Sequence, residues 1–350
     1  MNTPSALLAA HRTGEISPSL LAAPAPVNDP YERCRRLIAQ LRGRTVLSFS
    51  LQVDGARHLI EWPVEFSEYR DVTAAPPVPL GCCSRAHLPE LELLRRHLEQ
   101  GDIALLTYFT NSSSRYLQNS EDRMEWFFAL DAYVDRPELP PEARPEIVRD
   151  LITWLGNRRH RSVFPWVNTL NTLLRALLEE LEDDGLDTSG CVRDIRDYYG
   201  GLLREFDPGL SLRRYLENRA ETIGMRPEFE FCFAYLGKRV PPAARNLVEL
   251  MKENTAHLVA LQNDVLSLSK EERQEQGHLN LKTYFPDDRN YISFVRQAYQ
   301  DRFAAFQVLR PTRPGPLQDA WHICNQWLCG SLVWHLTSRR YDLGQFEILP

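Results

Sequence analysis

From residue 90 to residue 337, apolar side chains recur at spacings of three and four, as in Leu91, Leu93, Leu94 and Leu98, or Leu170, Leu173, Leu174, Leu177, Leu178 and Leu181. Because an α-helix turns once every 3.6 residues, this spacing collects apolar groups on one face and predicts amphipathic helices. Breakers separate the periodic runs at Pro140-Pro141, Gly185, Gly200-Gly201, Pro208-Gly209, Gly224 with Pro227, Pro241-Pro242, Pro286 and Pro314-Gly315-Pro316, which divides the stretch into about ten helices. An earlier helix begins near Tyr31. Between them the pattern changes: Val46, Leu47, Phe49, Leu51 and Val53 precede Asp54-Gly55 and then His58 to Trp62, the mark of a hairpin. The Pro76-Pro77-Val78-Pro79 stretch says only that this region is irregular. There is no strand–helix alternation, GxGxxG, P-loop or internal repeat, so a nucleotide-binding α/β fold has no support.

The expected fold class is therefore all-α. Residues 31–350 form one large helical domain, preceded by a flexible segment, residues 1–30, that carries five prolines and little charge. The chain has 350 residues, 43% hydrophobic and 25% charged, enough for a large core. No apolar run approaches the roughly 18 residues of a membrane span, and Met1 to Ala10 lacks a basic n-region, so a cytoplasmic protein is expected. A net charge of −6 argues against general nucleic-acid binding. The basic cluster Arg158, Arg159, His160 and Arg161 reads as a solvated helix face. Seven cysteines without CxxC or His/Cys metal spacing read mostly as core thiols.

Candidate chemistry lies in three places. Asn263, Ser267 and Glu271 stand at i, i+4 and i+8, within about 80° of one helix face. Amide oxygen, hydroxyl and carboxylate are hard donors suited to Mg²⁺, although the same pattern describes the polar outer face of an amphipathic helix. Asp131 and Asp135 share a second face, at the end of the run Trp126-Phe127-Phe128-Ala129-Leu130. Such acids either reach solvent, pair with a base or bind a cation, because a buried unpaired carboxylate is costly. Arg219, Lys270 and Arg339-Arg340-Tyr341 supply donors for an anion; taken singly, each is also an ordinary surface group.

Taken together, an aspartate-bearing helix end, an arginine, the Asn263-Asp264-x-x-Ser267-x-x-x-Glu271 helix and Arg340-Tyr341 occur in one order and at matching intervals. The combination resembles the class I terpene synthases over roughly residues 90 to 345, and the Ser338-Arg339-Arg340-Tyr341 ending with Lys270 looks most like the fungal trichodiene-synthase-like branch. The resemblance implies a class I terpenoid synthase-like helical bundle around a central active-site cavity. It also implies a sesquiterpene synthase that ionises farnesyl diphosphate, a prenyl diphosphate, and cyclises the carbocation, as a monomer or homodimer. Asp131, Asn263, Ser267 and Glu271 would hold three Mg²⁺, with Asp135 a possible addition, while Arg219, Lys270, Arg340 and Tyr341 would grip the diphosphate. Thr222 and Ile223 would relay binding from Arg219. Phe128 stands beside the aspartate motif, and Trp327 and Trp334, seven residues apart on one helix face, are candidates for the cavity wall. The sequence departs from the family's Asp-Asp-x-x-Asp or Asp-Asp-x-x-Glu motif at Ala132, which puts closure onto the C-terminal arginine in doubt. A trans-prenyltransferase of the same fold would normally carry two Asp-Asp-x-x-Asp motifs, and a catalytically impaired helical homologue acting as a binding protein would leave the spacings as coincidence.

Overall fold

A computed structural model of the protein describes residues 30–53, 56–69, 102–110, 116–135, 139–207, 209–237, 240–268, 271, 280–338, 341 and 346–348. In chain order the elements are α1 (Pro30–Leu41), β1 (Val46–Val53), β2 (Ala56–Pro63), α2 (Asp102–Thr110), α3 (Leu117–Val134), α4 (Ala143–Gly156), α5 (Pro165–Asp183) and α6 (Ser189–Glu205). They continue with α7 (Leu212–Thr222), α8 (Met225–Tyr235), α9 (Arg245–Leu266), α10 (Asp288–Val308), α11 (Pro316–Thr337) and β3 (Phe346–Ile348). Ten α-helices thus lie between Asp102 and Thr337 among the described residues, as the periodicity predicts. The flexible segment expected over residues 1–30 lies outside the described residues apart from Pro30, as do Leu91 to Leu98, the Pro76–Pro79 stretch and the Asp54-Gly55 turn.

Two helices form the centre. All residues of α11 from Ala320 to Thr337 are buried except His322, and α9 is buried from Asn254 to Gln262. A helix buried on all sides must be surrounded by other elements. These two pack against each other, with α10 and α2 beside them. The outer helices are one-sided, as α5 illustrates: Pro165 opens it at the first helical position, its six leucines from Leu170 to Leu181 are all buried, and Gly185 follows at φ 75°. Burial of each such leucine contributes roughly 2 kcal/mol.

Two expectations are corrected. Gly200-Gly201 does not end a helix, because α6 runs through it to Glu205. The glycine serves a close crossing instead: a Cβ on Gly201 would stand 2.7 Å from Thr222 Cγ2, and the Gly201 carbonyl accepts from Asn218 Nδ2 at 3.0 Å. The basic run Arg158–Arg161 is not a helix face but the connection between α4 and α5, with the Arg158 guanidinium 4.7 Å from the Trp154 ring. The five described cysteines are buried, as expected.

Buried charge locks the helices in register. Lys252 of α9 is fully buried and bonds Asp194 at 2.7 Å, Glu230 at 2.5 Å and Glu249 at 3.2 Å, tying α6, α8 and α9. Arg123 of α3 holds both carboxylate oxygens of Glu228 on α8. Charges this deep are tolerated because each is paired.

The predicted hairpin is present: β1 and β2 pair antiparallel, from Val46 with Pro63 to Val53 with Ala56. Trp62 stacks on Tyr299 of α10 with centroids 4.4 Å apart. The other edge of β1 pairs with β3, Phe49 opposite Ile348 and Leu51 opposite Phe346, giving a sheet of order β2-β1-β3. No helix among the described residues is long and apolar enough to cross a membrane.

Candidate functional site

The cavity of about 290 Å³ is where α3, α6, α7, α9, α11 and Tyr341 meet. On three of those helices, apolar lining residues come first and polar ones follow. Phe127 and Phe128 precede Asp131 and Asp135 on α3; Val259 precedes Asn263, Ser267 and Glu271 on and just past α9; Trp327 precedes Ser331 and His335 on α11. Polar groups thus gather toward these helix ends, although the apolar Trp334 stands between Ser331 and His335 in the last turn of α11.

The α9 stripe survives the helix end. Ser267 caps α9, its N–H bonded to the Asn263 carbonyl at 2.8 Å, and the Glu271 N–H bonds the Ser267 carbonyl at 3.0 Å, so the i+4 spacing is kept. Ser267 Oγ donates to Glu271 Oε1 at 2.5 Å, and Asn280 Nδ2 donates to Glu271 Oε2 at 2.8 Å. Asp131, which is exposed, and Asp135, which is half-buried, line the same cavity from α3 and its end. Ala132 is exposed beside Asp131.

Arg219 stands in the last turn of α7. Its Nε donates to Asp264 Oδ1 at 3.0 Å and its Nη2 to Asn263 Oδ1 at 2.8 Å. Burial opposes its charged form, but Asp264, Tyr215 and Glu205 outweigh that cost and hold the guanidinium protonated more firmly than an ordinary arginine. Burial likewise pushes the Asp264 carboxyl up, against the pull of Arg219 and of Tyr215 Oη, which donates to Asp264 Oδ2 at 2.6 Å. Just beyond Arg219, Thr222 and Ile223 line the cavity at the helix break, where Gly224 takes φ 77° and lets the chain turn into α8. Thr222 Oγ1 donates to the carboxylate of Glu205, whose pKa burial raises despite Arg219 and Thr222.

Trp327, Trp334 and Phe128 all line the cavity. The Trp334 ring meets Tyr341 edge-on at 5.3 Å and Phe128 at 5.9 Å. Tyr341 Oη accepts from Asn263 Nδ2 at 3.3 Å. Lys270 and Arg340 lie outside the described residues. Three residues that the sequence did not single out take part, Glu205, Asn280 and His335, together with Asp264, which the sequence marked only as part of the motif and without a role.

A family model described as terpene synthase family 2, C-terminal metal binding, matches residues 122–299. The chain belongs to the class I terpene synthases. Solved structures with the same fold include the linalool/nerolidol synthase from Streptomyces clavuligerus in complex with 2-fluorogeranyl diphosphate, 19% identical, covering 72% of this chain and 91% of its own, with a TM-score of 0.57. The germacradien-4-ol synthase from Streptomyces citricolor is 20% identical over 70% of this chain and 91% of its own, with a TM-score of 0.53. Wild-type cucumene synthase is 16% identical over 67% of this chain and 85% of its own, with a TM-score of 0.55. No curated protein matches the sequence.

The donor set of this terpene synthase fits a divalent cation of the hard type. Among the described residues no three His, Cys, Asp or Glu side chains form a closed metal site. Amide, hydroxyl and carboxylate oxygens of Asn263, Ser267 and Glu271, with Asp131 of α3 lining the same cavity, instead suit an ion that keeps water and an anion in its shell. The lining is also acidic: Asp131, Asp135, Glu205, Glu228 and Glu271 outnumber Arg144 and Arg219.

Proposed function

We propose that this terpene synthase ionises farnesyl diphosphate in a magnesium-dependent reaction and cyclises the resulting cation to a terpene hydrocarbon or alcohol, with release of diphosphate. The observation that carries the reading is a single cavity joining hard oxygen donors on two helices to an aromatic wall. In this reading Asp131 from α3 and Asn263, Ser267 and Glu271 from α9 hold the magnesium, three ions by resemblance to the family. Bound magnesium supplies Lewis-acid neutralisation of the charge that develops on the leaving diphosphate. The carboxylates of Asp131, Asp135 and Glu271 support that requirement, since carboxylates repel a diphosphate unless a cation stands between them.

Arg219 and Tyr341 bind diphosphate oxygens through a guanidinium fork and a hydroxyl; Lys270 and Arg340 join them by resemblance. Because Thr222 and Ile223 lie three and four residues beyond Arg219, one turn on and just before the Gly224 turn, a shift of Arg219 onto the anion moves the wall beside the substrate. Trp327, Trp334 and Phe128 exclude water from the cation and offer it aromatic faces. The relative solved with 2-fluorogeranyl diphosphate supports an allylic diphosphate as the substrate class. A fifteen-carbon chain rests on family habit, and the trichodiene-synthase-like branch on the Ser338-Arg339-Arg340-Tyr341 ending.

The test is incubation of the purified protein with geranyl, farnesyl or geranylgeranyl diphosphate and Mg²⁺, with and without isopentenyl diphosphate, with headspace and prenyl-diphosphate analysis and a diphosphate assay. Volatile product from farnesyl diphosphate, lost in excess EDTA, is the expected result. A longer prenyl diphosphate would make the chain an elongase, and no turnover of any substrate by folded protein would leave a binding role.

A further inference from the structure

We propose that His335 is a positioning residue that fixes which end of the Asn263 side-chain amide is offered to a metal ion. The inference rests on the reading of Asn263 as a metal ligand. His335 is 3% exposed, lines the cavity from α11, and has both ring nitrogens engaged. Nδ1 lies 2.7 Å from the Ser331 carbonyl oxygen. A carbonyl only accepts, so Nδ1 carries a proton; with Asn263 Oδ1 held by Arg219, the amide hydrogens face Nε2, which must then present a lone pair. That lone pair faces Asn263 Nδ2 at 3.2 Å. The second hydrogen of Nδ2 points to Tyr341 Oη at 3.3 Å.

The amide is thus oriented from two sides by partners of fixed polarity. Arg219, which can only donate, requires an oxygen at 2.8 Å. His335, accepting at Nε2, requires the nitrogen. Rotating the amide by half a turn would set donor against donor at Arg219 and acceptor against acceptor at His335. Tyr341 selects neither orientation, since its hydroxyl both donates and accepts. Arg219 cannot hold the amide throughout the reaction if it also binds diphosphate, so His335 is the partner that keeps the oxygen forward when the guanidinium turns to the anion. Only that oxygen ligates a hard cation; the amide nitrogen has no lone pair to give.

The test compares wild type with His335→Phe, His335→Gln, Asn263→Ala and the His335→Phe/Asn263→Ala pair, titrating Mg²⁺ in the presence of inorganic diphosphate by calorimetry, with Mn²⁺ spectroscopy as a second reading. His335→Phe should weaken apparent metal affinity roughly tenfold or more, as loss of a ligand's supporting partner does. His335→Gln, which retains a donor and an acceptor, should recover most of it. The double variant should bind no more weakly than Asn263→Ala alone, because His335 acts only through Asn263. Wild-type affinity in His335→Phe, or additive losses in the double variant, would overturn the role of His335. Wild-type affinity in Asn263→Ala would overturn the metal-ligand reading instead. Nitrogen NMR of the imidazole in the unmodified protein gives a check that needs no variant: Nδ1 should be protonated and Nε2 not, and the opposite tautomer would refute the proposal.

Discussion

Arg219 reaches from the end of α7 to α9 and donates to the side-chain oxygen of Asn263 at 2.8 Å. With its Nε on Asp264 at 3.0 Å, the same guanidinium spans two consecutive residues of the helix that carries the oxygen donors. An ammonium keeps the charge but not the fork. Arg219→Lys should therefore lower kcat/KM for the prenyl diphosphate roughly ten- to a hundredfold, the range for a lost charge-assisted hydrogen bond. Steady-state diphosphate release measures it, and a change below twofold would show that the fork is dispensable.

Asp131 and Asp135 separate on burial. Asp131 is exposed at the cavity, whereas Asp135 is half-buried and its backbone N–H closes the helix on the Asp131 carbonyl at 3.0 Å. Asp131→Asn should reduce turnover about a hundredfold or more, beyond the loss typical of a ligand's supporting group. Asp135→Asn should cost less than a tenth as much. Equal mild effects in a turnover assay would contradict the assignment.

Much of this was legible in the chain because it is local. Asn263, Ser267 and Glu271 are one turn apart, and the leucines of α5 fall on one face, so their placement follows from helix geometry alone. Glu205 with Thr222, and His335 with Asn263, meet across 17 and 72 positions; no periodicity marks such pairs. Gly200-Gly201 was misleading for the opposite reason. A glycine pair signals a break when judged by backbone freedom, but here the missing side chain matters, because α7 passes too close for a Cβ. The three-residue β3 is too short for any alternation to reveal it.

Trp334 supports the aromatic wall from two sides, against Phe128 and Tyr341. Trp334→Ala should destabilise the fold by about 3–5 kcal/mol through the cavity it leaves. It should also divert product toward early-quenched alcohols by admitting water. Trp334→Phe should retain most of the stability and a narrower product mixture. Denaturant unfolding and product profiles test both; identical profiles for all three proteins would remove Trp334 from the wall.

His257 on α9 has its pKa lowered to about 4 by burial, with Arg302 and Arg226 pushing the same way. In the unfolded chain it titrates near 6.5. Between those values the unfolded state binds more protons, so acidification favours unfolding by up to about 1.4 kcal/mol per pH unit from this group. Wild type should lose stability relative to His257→Gln as pH falls from about 6.5 to 4, with no further divergence below. Parallel unfolding curves across that window would show that His257 is not buried neutral.

The pairing of β1 with β3 has a consequence for synthesis. Cys34 in α1 touches Thr337 at the end of α11 across 303 positions, and β1 waits equally long for Phe346–Ile348. At ribosomal speeds of roughly 5–20 residues per second, the hairpin exists for about 15–60 s before β3 has been made. Throughout that interval one edge of β1, with Leu47, Phe49, Leu51 and Val53 alternating along it, has no strand to bond. An open, alternating edge is a template for pairing with another chain. The growing polypeptide is therefore most exposed to aggregation before its own tail emerges, and its yield in a foreign host should depend on chaperones that shield that edge during translation.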